Sequence, residues 1–227
     1  MSDIKACIFD LDGVIVDTAV YHFKAWKRLA NYMGFDFTLE ENEKLKGISR
    51  KESLELILGW GGVSKTGQEK LKLATLKNNW YVQMIDEMEP DEILPGAKEF
   101  LESVRNAGYK TALGSASKNS VKILEKVNLI HLFDVIVDGN KVSASKPDPQ
   151  VFLEGAIALN VDPAECVVFE DAIAGVQAAI AGGMKVIGIG SAETLKGANL
   201  VVAGLDEMYL GILKKLYKLL CSCTIPQ

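Results

Sequence analysis

The stretch Lys5-Ala6-Cys7-Ile8-Phe9-Asp10-Leu11-Asp12-Gly13-Val14 decides how the chain folds. Residues 5–9 form an apolar run too short for a helix, which reads as a buried strand. On such an extended segment Asp10 and Asp12 point to one side, and Leu11 points the other way, into the core. Carboxylates that share a pocket repel, so they need a proton or a cation between them. Magnesium is hard and takes oxygen ligands, which suits that role. Gly13 lets the chain turn at once. Asp-Gly is also a common surface-turn dipeptide, so the motif alone leaves both a plain turn and a metal site open. Gly13 comes too early for an EF-hand calcium loop.

Working outward, short apolar runs recur at residues 111–114, 135–137, 166–169, 186–189 and 200–202. Helix-like segments lie between them at 97–106, 119–127, 150–159, 172–181 and 206–220. Pro95-Gly96 leads into the first of these and Gly108 stops it. Pro149 stands where the first turn of 150–159 begins, a place that tolerates proline. Alternation of this kind predicts an α/β fold, a mostly parallel sheet with helices on both faces. Active sites in such sheets lie at the C-terminal ends of the strands. The polar residues do follow the apolar runs: Asp10 and Asp12, Ser115, Lys146, then Glu170 and Asp171. One region breaks the pattern. From about Asp17 to Glu89 the sequence reads as helical throughout, with helices at 21–33, 40–45, 51–58 and 67–88 and a helix–helix turn at 59–62. It is expected to be an inserted all-helical domain, residues 17–88, with residues 1–16 and 89–227 forming the α/β core.

Glu170-Asp171 ends the run 166–169. Two adjacent acids after four apolar residues are costly unless they bind something, and a magnesium ligand set shared with Asp10 is one reading. The other is that Asp171 caps the helix that follows. Ser115-Ala116-Ser117-Lys118-Asn119 opens a helix with hydroxyl and N–H donors that suit a phosphoryl group, and a capping turn is compatible with the same residues. Lys146-Pro147 is weak alone and gains from its place in a strand-end loop. Gly188-Ile189-Gly190 lacks the third glycine of a dinucleotide loop, since position 193 is Glu193. His131, beside Leu132 and Phe133, reads as structural.

A net charge of −5 gives no basic footprint for nucleic acid, so an anionic substrate requires a local cluster of donors. Cys7 and Cys166 sit in apolar runs and are expected to be reduced core residues. Cys221 and Cys223 make a poor zinc site, having no second pair and no nearby histidine. No secretion signal and no membrane-length apolar run is seen, so a cytoplasmic enzyme is expected.

Taken together and in order, Asp10-x-Asp12, Ser115, Lys146 and Glu170-Asp171 resemble the haloacid dehalogenase superfamily, over nearly the whole chain. The resemblance implies a Rossmann-like core with a helical cap inserted after the first motif. Three further stretches narrow it to the sugar-phosphate mutases of that superfamily: Asp10 to Thr18 followed by Tyr21-His22-Phe23-Lys24-Ala25-Trp26, then Lys46-Gly47-Ile48-Ser49-Arg50 with Ser53, and Ser115 to Asn119. What this implies is interconversion of β-D-glucose 1-phosphate and glucose 6-phosphate, a small-molecule substrate, through a bisphosphate; the compact cap and unremarkable charge lead to the separate expectation of a monomer. Asp10 is then the phosphorylated nucleophile and Asp12 the general acid and base. Asp10, Glu170, Asp171 and the backbone carbonyl of Asp12 are implied around magnesium, with Asp171 as the direct ligand of the acidic pair. Ser115 and Lys146 hold the transferring phosphoryl group. Arg50, helped by Lys118 and Asn119, grips the other phosphate, and His22 sets Asp12 when the cap shuts. Thr18, Lys46, Gly47, Lys77, Ala116 and Ser117 are further substrate-binding candidates, and Trp26 is expected to be cap packing. The alternatives are a sugar-phosphate or phosphoglycolate phosphatase of the superfamily, and a non-catalytic magnesium-binding regulatory protein.

Overall fold

A computed structural model describes residues 3–221. Its centre is a six-stranded sheet, every pair parallel: β1 (Ala6–Phe9), β2 (Lys110–Gly114), β3 (Val135–Val137), β4 (Cys166–Glu170), β5 (Lys185–Ile189) and β6 (Leu200–Val202), in the spatial order β3-β2-β1-β4-β5-β6. That is the Rossmann order, whose direction reverses between β1 and β4 and leaves a crevice there. Phe9 pairs in register with Phe169, so Asp10 and Glu170 emerge side by side at the reversal.

Both faces of the sheet are buried. Cys7 and Phe9 belong to one apolar cluster and Ala6 and Ile8 to another, as alternation along β1 requires. Phe9 stacks on Phe169 at 4.5 Å between ring centroids, and Phe100 meets Phe169 edge-on. The first face is covered by α5 (Ala97–Asn106), α6 (Ser120–Lys126) and α9 (Leu210–Cys221), the second by α7 (Gln150–Leu159) and α8 (Ile173–Ala181). Cys7 and Cys166 are buried and free, and burial pushes both thiols above their usual range.

Residues between β1 and α5 form α1 (Ala19–Tyr32), α2 (Leu39–Glu43), α3 (Arg50–Trp60) and α4 (Gly67–Ile85). They enclose a third apolar cluster that includes Trp26, Phe37, Leu54 and Ile57. The starts of α2, α3 and α4 each carry a capping box, Thr38 with Glu41, Ser49 with Glu52 and Thr66 with Glu69. Each such cap is worth about 1 kcal/mol.

Several expected boundaries move. The single helix 206–220 is replaced by a 3-10 turn, Leu205–Glu207, and then α9. Met208 separates them in extended conformation and is buried in the core. The last helix of the insert stops at Ile85 rather than 88, and the second at Glu43 rather than 45. In the other direction, α3 runs on to Trp60, so the turn expected over 59–62 narrows to Gly61-Gly62. Of the C-terminal cysteines, Cys221 is the last residue of α9 and Cys223 lies outside the described residues. Among the described residues no helix is long and apolar enough to cross a membrane.

Candidate active site

The strand ends bring three acids together. Carboxylate oxygens of Asp10, Glu170 and Asp171 all lie within 4.8 Å of one another. Asp10 follows β1 and its N–H donates to the carbonyl of Phe169 at 2.9 Å, which ties the two strand ends together. Gly13, at φ +77°, carries the chain away from the motif, and a Cβ there would run into the Asp171 carboxylate. Lys146 reaches in from the loop before α7. Its buried ammonium donates to Asp10 Oδ1 at 2.5 Å and to Glu170 Oε2 at 2.8 Å.

Asp171 does not cap α8. The N-cap residue is Ala172, whose N–H donates to Glu170 Oε1 at 3.0 Å. Glu170 therefore has both oxygens engaged, one by Lys146 and one by that N–H. Asp171 pairs with Lys46 from the insert, at 3.6 Å, and Lys46 also pairs with Glu43 at 2.9 Å. Burial, and then the charge of Asp10, pushes Asp171 up to about 7. Burial pushes Glu170 up to about 8 against the opposing pull of Lys146. Lys146 is lowered by burial, but Asp10 and Glu170 together carry it above the ordinary lysine range. Three carboxylates thus share one buried ammonium. The donors are all oxygens and the cluster is short of positive charge, which fits a hard divalent cation such as magnesium.

The Asp12 side chain stands outside that group of three. Its Oδ1 accepts a hydrogen bond from the Thr18 hydroxyl, and Tyr81 OH donates in turn to Thr18 Oγ1 at 3.1 Å. Burial first, and then the charge of Asp10, raises Asp12 to about 7. An acid that titrates near neutrality can both give and take a proton.

Beyond β2 the backbone turns on its own hydroxyls. Ser115 Oγ accepts from the N–H of Ser117 at 3.1 Å, and Ser117 Oγ from that of Asn119 at 3.2 Å, with α6 beginning at Ser120. Facing this turn are residues of the insert. The capping box at Ser49 fixes the start of α3 and makes Arg50 its first residue. Asn119 Nδ2 donates to Asn78 Oδ1 at 3.1 Å, a direct bond between core and insert. His22 Nδ1 lies 2.9 Å from Lys77 Nζ. Burial, then Lys77 and Arg50, hold His22 well below its usual range, so its ring is neutral at pH 7.

One cleft joins these parts. Asp10, Asp12, Asp171, Ser115, Ala116, Ser117, Lys118 and Asn119 line it from the core, and His22, Lys46, Gly47, Arg50 and Lys77 from the insert. Thr18, Lys146 and Glu170 stand behind its wall, bonded to lining residues or to one another. Trp26 packs in the third cluster and also touches the cleft, while exposed His131 is not part of it. Sequence reasoning did not reach Tyr81, Asn78 and Asn42; Asn42 lines the cleft as well, as does Ser53 of the cap pattern. A signal for Tyr81 and Lys77 exists: Leu73, Lys77, Tyr81 and Ile85 recur every four residues as the buried stripe of α4. A lysine in such a stripe is a polar residue at a core position.

Known proteins are similar to this chain over most of its length. A β-phosphoglucomutase of Bacillus subtilis is 44% identical over 212 residues, covering 92% of this chain and 94% of its own. A phosphorylated carbohydrates phosphatase of Thermotoga maritima is 30% identical over 224 residues, covering 93% of this chain and 99% of its own. The crystal structure of a Clostridium difficile β-phosphoglucomutase superposes with a TM-score of 0.93 at 43% identity, over 96% of this chain and 99% of that one. The family model of the haloacid dehalogenase-like hydrolases matches residues 7–189. From its Asp10-x-Asp12 strand end to the Glu170-Asp171 pair, the chain belongs to the haloacid dehalogenase-like hydrolase family.

Proposed function

We propose that this enzyme is a magnesium-dependent β-phosphoglucomutase, which interconverts β-D-glucose 1-phosphate and glucose 6-phosphate through a glucose bisphosphate. The observation that carries the reading is the single cleft in which Asp10 and Asp12 of the core face Arg50, Lys46, His22 and Lys77 of the insert. Asp10 attacks phosphorus in line, forming an acyl–phosphate bond as the bond to the sugar oxygen breaks. Asp12 gives a proton to that departing oxygen and takes one back from the hydroxyl that later attacks the aspartyl phosphate. Ser115 and Lys146 position the transferring group. Arg50 suits the distal phosphate because its guanidinium makes two parallel bonds to it, with Lys118 and Asn119 beside it. His22, Thr18, Lys77, Gly47, Ala116 and Ser117 shape the rest of the sugar site.

Asp10, Glu170, Asp171 and the Asp12 carbonyl would hold the magnesium. Bound there, it supplies neutralisation of the charge that gathers on the phosphoryl oxygens. The engagement of both Glu170 oxygens supports Asp171 as the direct ligand of the pair.

The same reading divides the chain into a core of residues 1–16 and 89–227 and a cap of residues 17–88, supported by the apolar cluster the cap encloses. The cap excludes water while the aspartyl phosphate waits for a sugar hydroxyl, which is the problem a mutase has and a phosphatase does not. The enzyme is taken to act as a cytoplasmic monomer. The test supplies β-glucose 1-phosphate with a trace of glucose bisphosphate and follows glucose 6-phosphate and free phosphate together. Glucose 6-phosphate should dominate. Release of phosphate as the main product would move the chain to the phosphatases.

A further inference from the structure

We propose that Lys77 is a reactive amine, placed in the cleft to condense with the aldehyde of a phosphorylated carbonyl compound and hold it as an imine. The cleft contains or adjoins several lysines, and their surroundings differ in kind. Lys146 and Lys46 are each held by two carboxylates. Lys77 is 1% exposed, and its one partner at hydrogen-bond distance among the described residues is His22 Nδ1, at 2.9 Å. Its Nζ otherwise sits 4.5 Å from the ring centres of Trp26 and Tyr81. The charged and titratable groups around it are His22 from α1, Arg50 from α3, Asp12 from the loop after β1 and Tyr81 from its own helix. Burial, and then the Arg50 guanidinium, hold its ammonium well below the ordinary range against the weaker pull of Asp12. Desolvation beside a second cation is a recognised way to free an amine lone pair for attack on a carbonyl.

The rest of the cleft supplies what such a reaction needs. Arg50 and Lys118 line the same space and can anchor a phosphate. The amine nitrogen bonds to the carbonyl carbon as the C=O π pair moves onto oxygen. Neutral His22 takes a proton from nitrogen and returns it to that oxygen. The second N–H proton follows, the oxygen departs as water, and C=N remains, with no change of oxidation state. The open-chain form of an aldose 6-phosphate carries both groups the site selects. The inference rests on the cleft as the place where phosphorylated sugars bind, and not on whether turnover is mutase or phosphatase.

The test treats the magnesium-loaded protein with pyridoxal 5′-phosphate at neutral pH, traps imines with borohydride and maps the labelled peptides. A dominant adduct at Lys77 is expected, lost in Lys77→Arg, and formed roughly tenfold more slowly with unphosphorylated pyridoxal, which lacks the anchored group. Labelling spread over exposed lysines such as Lys51 and Lys72, with Lys77 untouched, overturns the proposal. The wild-type map decides this even if the variant folds poorly. Glucose 6-phosphate should slow the reaction at Lys77. Labelling at Lys77 that ignores the sugar phosphate would keep the reactive amine and remove that substrate from the cleft.

Discussion

Replacing Lys146 by Met removes the buried ammonium that sits among the acids at the strand ends while roughly keeping the volume of its stem. In the wild type that ammonium lies 2.5 Å from Asp10 and 2.8 Å from Glu170, with the lysine side chain 1% exposed and that of Glu170 wholly buried. Breaking a buried pair from one side leaves an uncompensated charge and costs about 3–5 kcal/mol. For a chain of this size that is a fall in Tm of roughly 6–20 °C. The loss must also depend on pH. Glu170 has a folded-state pKa raised to about 8, so the folded chain holds a proton the unfolded chain has lost. The stability tied to that proton is complete below about 4.5, the ordinary value, and is lost as pH rises through about 8. Lys146 opposes the rise, so without it Glu170 holds its proton more tightly still. The penalty should therefore be smaller near pH 5, where the proton neutralises Glu170 and the lost pair with Asp10 is what remains, and largest at pH 8 and above. Urea denaturation in chelator at pH 5 and pH 8 measures it, and adding Glu170→Gln to the variant should recover part of the pH 8 loss. A loss at pH 8 below about 1 kcal/mol, or one equal at both pH values, would refute the reasoning.

Asp10→Asn should abolish turnover, and activity near that of the wild type would remove the covalent mechanism. Arg50→Ala should damage transfer between sugar phosphates far more than hydrolysis of a small acyl phosphate; equal losses would separate Arg50 from the distal phosphate. Thr18→Val deletes a hydrogen bond that lowers Asp12. It should move the alkaline limb of the kcat/KM profile upward by about one pH unit, and a downward shift would show that Asp12 is not the group being titrated. Adding magnesium to the chelated protein at a hundredfold excess over its Kd should stabilise it by about 2.7 kcal/mol. A Tm indifferent to the metal would empty the acid cluster of that role.

The strands were legible because the central ones are buried on both faces and so read as unbroken apolar runs, and the half-buried edge strands β3 and β6 are just as apolar. Their ends slipped where a polar residue continues the ladder, as Lys110 and Lys185 do at the start of β2 and β5 and Glu170 at the end of β4. The gathering of acids at those ends was legible too, because acids placed directly after buried strands have few other reasons to exist. What could not be read locally is that both Glu170 oxygens are engaged, since one of them is held by Lys146, 24 residues earlier than Glu170 in the chain. The break at Met208 was hidden because its apolar side chain suits a helix equally well, and only the core it enters demands extended backbone. Lys77 was visible as a residue but not as an anomaly until the stripe it interrupts was counted.

A shortage of positive charge ties these parts together. Asp10, Glu170 and Asp171 are more acid than Lys146 can balance, and the cap answers with Lys46, held 3.6 Å from Asp171. A divalent cation meets the same demand more closely, because it satisfies several oxygens from one point. A phosphoryl group brings further negative charge, and the cap meets that with Arg50 on the opposite wall. On the proposed function, closure of the cap would thereby be coupled to ligand charge as well as to shape. An anion in the cleft strengthens the attraction of the cap to the core, and an empty cleft leaves it to contacts such as Asn78 with Asn119. Buried charge makes that coupling strong, since removal of water raises every electrostatic interaction inside the cleft. On the proposed function, the imbalance that destabilises the strand ends in isolation is what would select a metal, a phosphate and a closed cap together.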